Sequence, residues 1–140
     1  DAMAYNLWGA RDLICPLMDA RRSQTYTGLY RFGEDGFEIL VSQRAVAIEE
    51  MIGIINSFEL SVIFLGDVEP FLECIETQLR VPYRFAPAQS NRQRAASVAV
   101  LGARLYAEGK WQDSKDHHPE YLRLSQAERE YRERQRDFRV

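Results

Sequence analysis

The spacing of apolar residues in the first third of the chain predicts three strands. Leu13 to Met18 is a short apolar run typical of a buried strand, and its Pro16 suggests a sheet edge or a strand end. Gln24 to Phe32 is rich in threonine and tyrosine, and Phe37 to Val41 alternates between apolar and polar residues. A glycine-bounded turn, Gly33 to Gly36, joins these last two runs. We therefore expect an antiparallel meander.

After the meander, the spacing of the apolar residues changes to that of a helix. Its apolar positions are three or four residues apart: Ile48, Met51, Ile52, Ile55 and Phe58. Ser61 to Leu65 and Val81 to Phe85 then predict two strands, each followed by a helix. Pro70 suits the first turn of one helix, and Ser90 to Gln93 has the form of a capping box for the other, which should end at Gly109.

The order of elements is therefore β-β-β-α-β-α-β-α. Three antiparallel strands precede two βα units, which should add parallel strands to the same sheet. This is the order of an α/β, ribonuclease-H-like lobe.

We place the lobe at residues 10–123 and interpret the segments on either side of it separately. Residues 1–9 predict the end of a helix that starts in a missing upstream lobe and stops at Gly9. Residues 124–140 predict a charged C-terminal helix, opened by a capping box at Ser125 to Glu128. Its narrow apolar stripe is Leu124, Ala127, Tyr131 and Phe138. Such a helix must dock on this lobe, dock on a partner, or fray.

Composition narrows the class of protein. The 140 residues, 46% of them hydrophobic, suffice for one core. The net charge of −3 argues against a strongly basic nucleic-acid surface, and no apolar run is long enough to cross a membrane. Cys15 and Cys74 predict two reduced, buried thiols rather than a disulfide scaffold, which fits a cytoplasmic location.

Two polar motifs could carry chemistry. Asp19, Arg21 and Arg22 form either a loop that contacts an anion or a partner, or a plain turn with local ion pairs. Gly66 and Asp67 lie at a strand-to-helix turn, where backbone N–H groups can receive a phosphate. The Val-Glu that follows them is bulky and acidic, which favours a structural turn.

Other candidates are weaker. His117 and His118 are adjacent in a polar stretch, predict a solvated loop, and form no zinc spacing, so neither a metal nor a cofactor is expected. Arg129 and Arg132 belong to a mixed-charge C-terminal helix that predicts a solvated or protein-docking surface, with direct RNA contact as the alternative.

Three segments together resemble a known family. Ile14 to Arg22 (Ile-Cys-Pro-Leu-Met-Asp-Ala-Arg-Arg) with Tyr26, then Phe64 to Asp67, and then Pro119-Glu-Tyr-Leu-Arg123 look like the C-terminal half of the TsaB (YeaZ) family. The resemblance covers nearly the whole chain. It implies an actin-like (ASKHA) architecture of two ribonuclease-H-like lobes.

The resemblance also implies a function. Family members assist formation of threonylcarbamoyladenosine in tRNA as non-catalytic partners of a larger catalytic paralogue, TsaD, and of the ATPase TsaE. Contact with tRNA is then indirect, and the candidates for partner contact include Tyr121 and Arg123. Relatives have also been called glycoproteases, but His ligands like those of the paralogue have no counterpart here. Val68 and Glu69 stand where relatives often have Gly-Ala, which weakens nucleotide binding further.

Two alternatives from other functional classes stay open. One is a metal-dependent glycoprotease-like enzyme or an ATP-binding enzyme half, and the other is an RNA-binding adaptor that acts through the Arg-rich tail. A lobe separated from its partner lobe should also expose apolar surface, which predicts a homodimer.

Overall fold

The computed structural model describes residues 1–34, 36–119 and 122, and it contains a five-stranded mixed sheet. The strands are β1 (Leu13–Asp19), β2 (Gln24–Gly33), β3 (Gly36–Ala47), β4 (Val62–Gly66) and β5 (Tyr83–Phe85). The helices are α1 (Ala2–Tyr5), α2 (Ile48–Phe58), α3 (Leu72–Gln78) and α4 (Ala95–Ala107). Short 3₁₀ turns at Glu69–Phe71 and Ala88–Ser90 precede α3 and α4.

The spatial order of the strands is β3-β2-β1-β4-β5. Strands β1, β2 and β3 are antiparallel neighbours, and the hairpin closes with Gly33 opposite Gly36. Strand β4 is parallel to β1, and β5 is parallel to β4. The predicted meander and the two parallel additions are therefore confirmed.

One face of the sheet is covered by α2 and α3. Every second side chain along a strand points to this face. Cys15 and Leu17 of β1 and Phe64 of β4 do so, and they pack against Met51 of α2 and Ile75 of α3. All five of these side chains are fully buried. The apolar residues that alternate along the strands and those that repeat at helical spacing along α2 thus form one apolar layer between sheet and helix.

The opposite face is covered by α1 and α4. Met3 and Ala4 of α1 are buried against Ile14 and Leu65, so residues 1–9 contribute to the core of this body. Leu101 of α4 packs at the margin of the same cluster. Much of the rest of α4 leaves apolar side chains in solvent: Val98, Val100, Leu105 and Tyr106.

The edge position predicted from Pro16 is wrong. Strand β1 is the middle strand of five, and Pro16 pairs with Leu65 of β4. The β1–β2 ladder runs from Ile14 opposite Tyr30 to Leu17 opposite Thr27 and skips the positions between them. Strand β2 also has register shifts here. A proline, which lacks an N–H, is tolerated because the ladder is interrupted beside it.

Two further boundaries differ from the predictions. Strand β3 continues from Val41 to Ala47, because pairing with β2 holds its polar residues in the ladder. The capping box at Ser90 is wrong, since α4 begins at Ala95 and no side chain caps it. The side chain of Asn6 instead donates hydrogen bonds to the carbonyls of Ser90 and Arg92, at 2.9 and 2.8 Å, which ties this segment to the loop after α1.

The predicted helix at 124–140 lies outside the described residues. In the part of the chain that is described, every helix is too short or too polar to cross a bilayer.

Candidate functional site

The two polar motifs singled out in the sequence lie in one cleft at the carboxyl edge of the sheet. Parallel pairing of β1 and β4 places Leu17 opposite Gly66, so the residues that follow each strand emerge side by side. The cleft has a volume of about 630 Å³. It is lined by Asp19, Arg21, Gly66, Asp67, Val68, Glu69, Pro70, Asn91 and Arg92. The carboxyl ends of parallel strands are where open α/β sheets bind their ligands.

Gly66 is required by the backbone at this edge. Its φ of +94° lies in the region that favours glycine, and a Cβ there would stand 2.2 Å from the carbonyl oxygen of Leu17. Its N–H donates to the side-chain oxygen of Asn91 at 3.2 Å, so this amide has a partner within the chain. These observations favour the structural reading of the turn over the phosphate-binding one.

Asp67 joins the ends of β1 and β4. The N–H of Asp67 donates to the carbonyl of Leu17 at 2.8 Å. The N–H of Asp19 donates to the side chain of Asp67 at 3.2 Å. Asp67 thus bridges the ends of β1 and β4 in both directions, and its carboxylate already accepts a hydrogen bond from the chain.

The turn between β1 and β2 is held in an uncommon conformation. Arg21, Arg22 and Ser23 have φ of 63°, 57° and 58°, three left-handed residues in succession. The carboxylate of Asp19 supports the turn by accepting from the N–H of Arg21 at 2.7 Å and pairing with its guanidinium at 3.2 Å. The ion pair between Asp19 and Arg21 is the one expected if the motif is a plain turn. Arg22 lies exposed at the tip of this turn.

The charges of the cleft oppose an anionic ligand. Three carboxylates, those of Asp19, Asp67 and Glu69, face two guanidinium groups, those of Arg21 and Arg92. One of these two, that of Arg21, is paired with Asp19. A phosphate placed here would meet more negative than positive charge.

Sequence reasoning missed the part that Asn91 has in this cleft. Asn91 lies inside the segment interpreted as a capping box, Ser90 to Gln93, and that interpretation gives its side chain no role. Its side chain reaches across to Gly66, 25 residues away. An asparagine next to an exposed turn was the only available signal, and it is a weak one.

The cysteines and histidines stand apart from the cleft. Cys15 is fully buried, and burial raises the pKa of its thiol to about 12, while Cys74 is half-buried and its pKa is also raised, first by burial. The prediction of a buried thiol thus holds for Cys15 and fails for Cys74, which packs against the margin of the core and stays partly exposed. His117 and His118 are exposed after α4, as predicted.

The remaining candidates are not part of the described cleft. Among residues 1–34, 36–119 and 122, no group of three His, Cys, Asp or Glu side chains could hold a metal ion. Tyr121, Arg123, Arg129 and Arg132 lie outside the described residues.

The chain is similar to a curated protein and to solved structures, two of which are described here. No family model matches the chain. The tRNA threonylcarbamoyladenosine biosynthesis protein TsaB of Bacillus subtilis (strain 168) is 32% identical over 128 residues, which cover 89% of this chain and 53% of the relative.

Both solved structures share the fold. A crystal structure of an uncharacterized protein with similarity to peptidase YeaZ from Pseudomonas aeruginosa matches with a TM-score of 0.61 and 19% identity, over 87% of this chain and 54% of that one. YeaZ from Pseudomonas aeruginosa matches with a TM-score of 0.62 and 18% identity, over 86% and 54%. The chain therefore spans about half the length of each of these three proteins, and its fold is that of a ribonuclease-H-like lobe.

Proposed function

We propose that this chain, a TsaB/YeaZ-like protein, serves as a non-catalytic subunit in the biosynthesis of threonylcarbamoyladenosine in tRNA. The resemblance predicted from its motifs is confirmed. The observation that carries the proposal is the 32% identity to TsaB across 89% of the chain. Because the chain spans about half of that relative, its activity, substrates and partners are part of the proposal.

Two features of the described residues support a role without catalysis. At the carboxyl edge, the Gly66 amide donates to the side chain of Asn91, and the Asp67 carboxylate accepts from the N–H of Asp19. The thiol of Cys15, whose pKa is raised to about 12 by burial, stays protonated at neutral pH and lacks access to solvent. None of these three groups is suited to act as a nucleophile or to cradle a phosphate.

We assign the partner contact to the exposed charge beside the cleft. The left-handed turn, supported by Asp19, presents Arg22 to solvent, so a partner carboxylate would meet an accessible guanidinium. The partners proposed are the catalytic paralogue TsaD and the ATPase TsaE, with tRNA engaged through them. Tyr121 and Arg123 are proposed as further contacts.

The test is a reconstitution with TsaD and TsaE from the same genome. Threonylcarbamoyladenosine in tRNA is quantified by mass spectrometry with and without this chain, and co-elution with TsaD is measured in parallel. We expect the chain to co-elute and to raise the yield of modified tRNA. Equal yields with and without the chain would refute the proposal.

A pair of variants separates the partner surface from general charge effects. Arg22→Glu reverses the charge at the turn, and Arg44→Glu makes the same change on an exposed part of β3 away from the cleft. We expect only Arg22→Glu to reduce co-elution with TsaD. Equal losses in both variants would remove the β1–β2 turn from the interface.

Three further measurements address the alternatives. Micromolar ATP binding in calorimetry would favour an enzyme half, and tRNA affinity that falls steeply with salt would favour an RNA-binding adaptor. Light scattering tests the predicted homodimer, for which the exposed side chains of α4 supply an apolar surface.

A further inference from the structure

Strand β5 forms one lateral border of the sheet, whereas the polar cleft lies at the carboxyl ends of β1 and β4. It is the last strand in the spatial order, and its three residues, Tyr83–Phe85, are all exposed. A strand at the border of a sheet leaves half of its backbone N–H and C=O groups without a neighbouring strand. An extended segment of another chain can pair with those groups.

The hydrogen bonds between β5 and β4 show which backbone groups remain free. A β4 N–H donates to the carbonyl of Pro82 at 3.0 Å, and the N–H of Ala86 donates to a β4 carbonyl at 2.8 Å. In such a ladder, the N–H and C=O of one residue point to one side of the strand and those of the next residue to the other. The backbone groups of Tyr83 and Phe85 therefore point outward, and within the described residues they have no hydrogen-bond partner.

The side chains around this border have the composition of a recognition surface. The rings of Tyr83 and Phe85 each lie 6.4 Å from the buried ring of Phe64, yet they keep 39% and 43% of their surface exposed. A groove of about 390 Å³ beside β5 is lined by Trp8 and Arg84, and Trp8 is 74% exposed. Tryptophan, tyrosine and arginine dominate the binding energy of protein interfaces. We call Trp8 together with Tyr83–Phe85 the β5 edge.

Arg84 has an anchored side chain with donors to spare. Its Nη2 donates to the carboxylate of Asp12 at 2.7 Å, and that carboxylate also accepts from the hydroxyl of Ser61. Within the described part of the chain, Nε and Nη1 of Arg84 have no partner, and the side chain is 64% exposed. A guanidinium has five N–H donors, so this one can bind a second carboxylate without releasing Asp12.

We infer that the β5 edge binds an extended segment of a partner protein, with a carboxylate opposite Arg84 and apolar side chains opposite Tyr83 and Phe85. The free backbone groups would pair with the segment, and the exposed rings would contact its apolar side chains. The carboxylate would take the unused donors of Arg84. This surface is independent of the contact proposed at the β1–β2 turn.

Charge decides against a second copy of the chain as the occupant. The antiparallel register that uses all the free groups sets Tyr83 of one copy opposite Phe85 of the other. It also places the two Arg84 residues directly opposite each other, with their Cα atoms about 4.5 Å apart. Like charges in this position destabilise a sheet, whereas opposite charges stabilise it.

A capped peptide, acetyl-Thr-Val-Glu-Val-Thr-amide, tests the inference when titrated into the full chain labelled with nitrogen-15. Its glutamate matches Arg84, and its valines match Tyr83 and Phe85. We expect saturable shifts centred on the amide resonances of these two residues. Replacing the glutamate by lysine should weaken binding about fivefold, because an attractive cross-strand pair becomes a repulsive one. N-methylation of both valines should abolish binding, because it removes the N–H groups that face β5.

Two variants of the chain separate backbone pairing from ring contact. Phe85→Ala removes the ring and keeps the N–H, whereas Phe85→Pro removes both. Proline is tolerated at an edge position whose N–H faces away from the sheet. Binding of the peptide should be weakened in Phe85→Ala and lost in Phe85→Pro. Circular dichroism checks that both variants fold, and the N-methylated peptide tests the same bonds on the unaltered chain.

Several results would overturn the inference. One is the absence of saturable shifts at millimolar peptide, and another is equal binding of the glutamate and lysine peptides. Equal binding of the N-methylated peptide, or of the two Phe85 variants, would remove the backbone pairing. A dimer in light scattering that Phe85→Pro dissociates would assign the edge to a second copy instead.

Discussion

Replacing Gly66 by alanine tests whether the carboxyl edge is built around a close backbone approach. The added methyl group would stand 2.2 Å from the carbonyl oxygen of Leu17 and 2.8 Å from the terminal carbon of Met3. Normal contact is longer than 3.0 Å, so β1 and β4 would have to separate by nearly an ångström. That separation disturbs two hydrogen bonds, one from Asp67 to Leu17 and one from Gly66 to Asn91.

The magnitude follows from two contributions. A non-glycine residue held at a φ of +94° is disfavoured by about 1–2 kcal/mol. Forcing an extra methyl group into a packed position costs about 1–3 kcal/mol more. We therefore expect Gly66→Ala to lower the free energy of unfolding by about 3 kcal/mol, a large part of the 5–15 kcal/mol typical of a domain.

Urea denaturation followed by circular dichroism measures this change, and Gly53→Ala is the matched control. Gly53 lies on the exposed side of α2 with nothing within 4 Å of an added Cβ. Alanine there should stabilise the protein by about 0.5–1 kcal/mol, because it favours a helix more than glycine does. A loss below 1 kcal/mol for Gly66→Ala would show that the turn relaxes freely and that the close approach is not needed.

Three other predictions follow from single groups. The Ser61 hydroxyl, assisted by Arg84, holds the pKa of Asp12 below its ordinary value. The ionised Asp12 carboxylate therefore stabilises the fold above about pH 4, and this stabilisation is lost as the pH falls further. Urea midpoints at pH 7 and pH 3 should therefore differ less in Ser61→Ala than in the unaltered chain, and an equal difference would contradict the assignment. In the native protein, a thiol reagent at pH 8 should label Cys74 and leave Cys15 untouched until unfolding; equal rates would disprove the burial argument. Gly28→Ala should be destabilising by about 1–3 kcal/mol through its clash with Tyr30, and thermal melting that matches the unaltered chain would refute this.

The elements predicted correctly from sequence are those whose local pattern and tertiary environment agree. Helix α2 was expected because its apolar residues repeat at 3.6 positions, and these are the residues that face the sheet. The hairpin was expected because its turn is bounded by Gly33 and Gly36. In both cases neighbouring residues supplied enough information.

The errors arise where distant parts of the chain decide the local structure. Pro16 suggests an edge by itself, but a ladder irregularity in β2 allows it in the middle strand. Ser90 suggests a helix cap, but its backbone carbonyl is held by Asn6, 84 positions away. Neither partner is visible from a window of local sequence.

The candidate site shows the same division. Each motif was visible separately, and both the structural and the functional interpretation were open for each. Their meeting in one cleft depends on the parallel pairing of β1 with β4, which sets Asp19 beside Asp67. The role of Asn91 depends on a contact over 25 positions and could not be derived from its neighbours.

These bonds also determine what the cleft is able to bind. A ligand that used the Gly66 amide would first displace Asn91, because this amide has one N–H and that N–H already donates to the Asn91 side chain. An intramolecular hydrogen bond is worth about 0.5–1.5 kcal/mol, so losing this one would weaken binding by about 2- to 12-fold. Arg22 requires no such displacement, because it is already exposed on a fixed turn. These contacts support the proposed partner contact at the turn beside the cleft and argue against a nucleotide site within it.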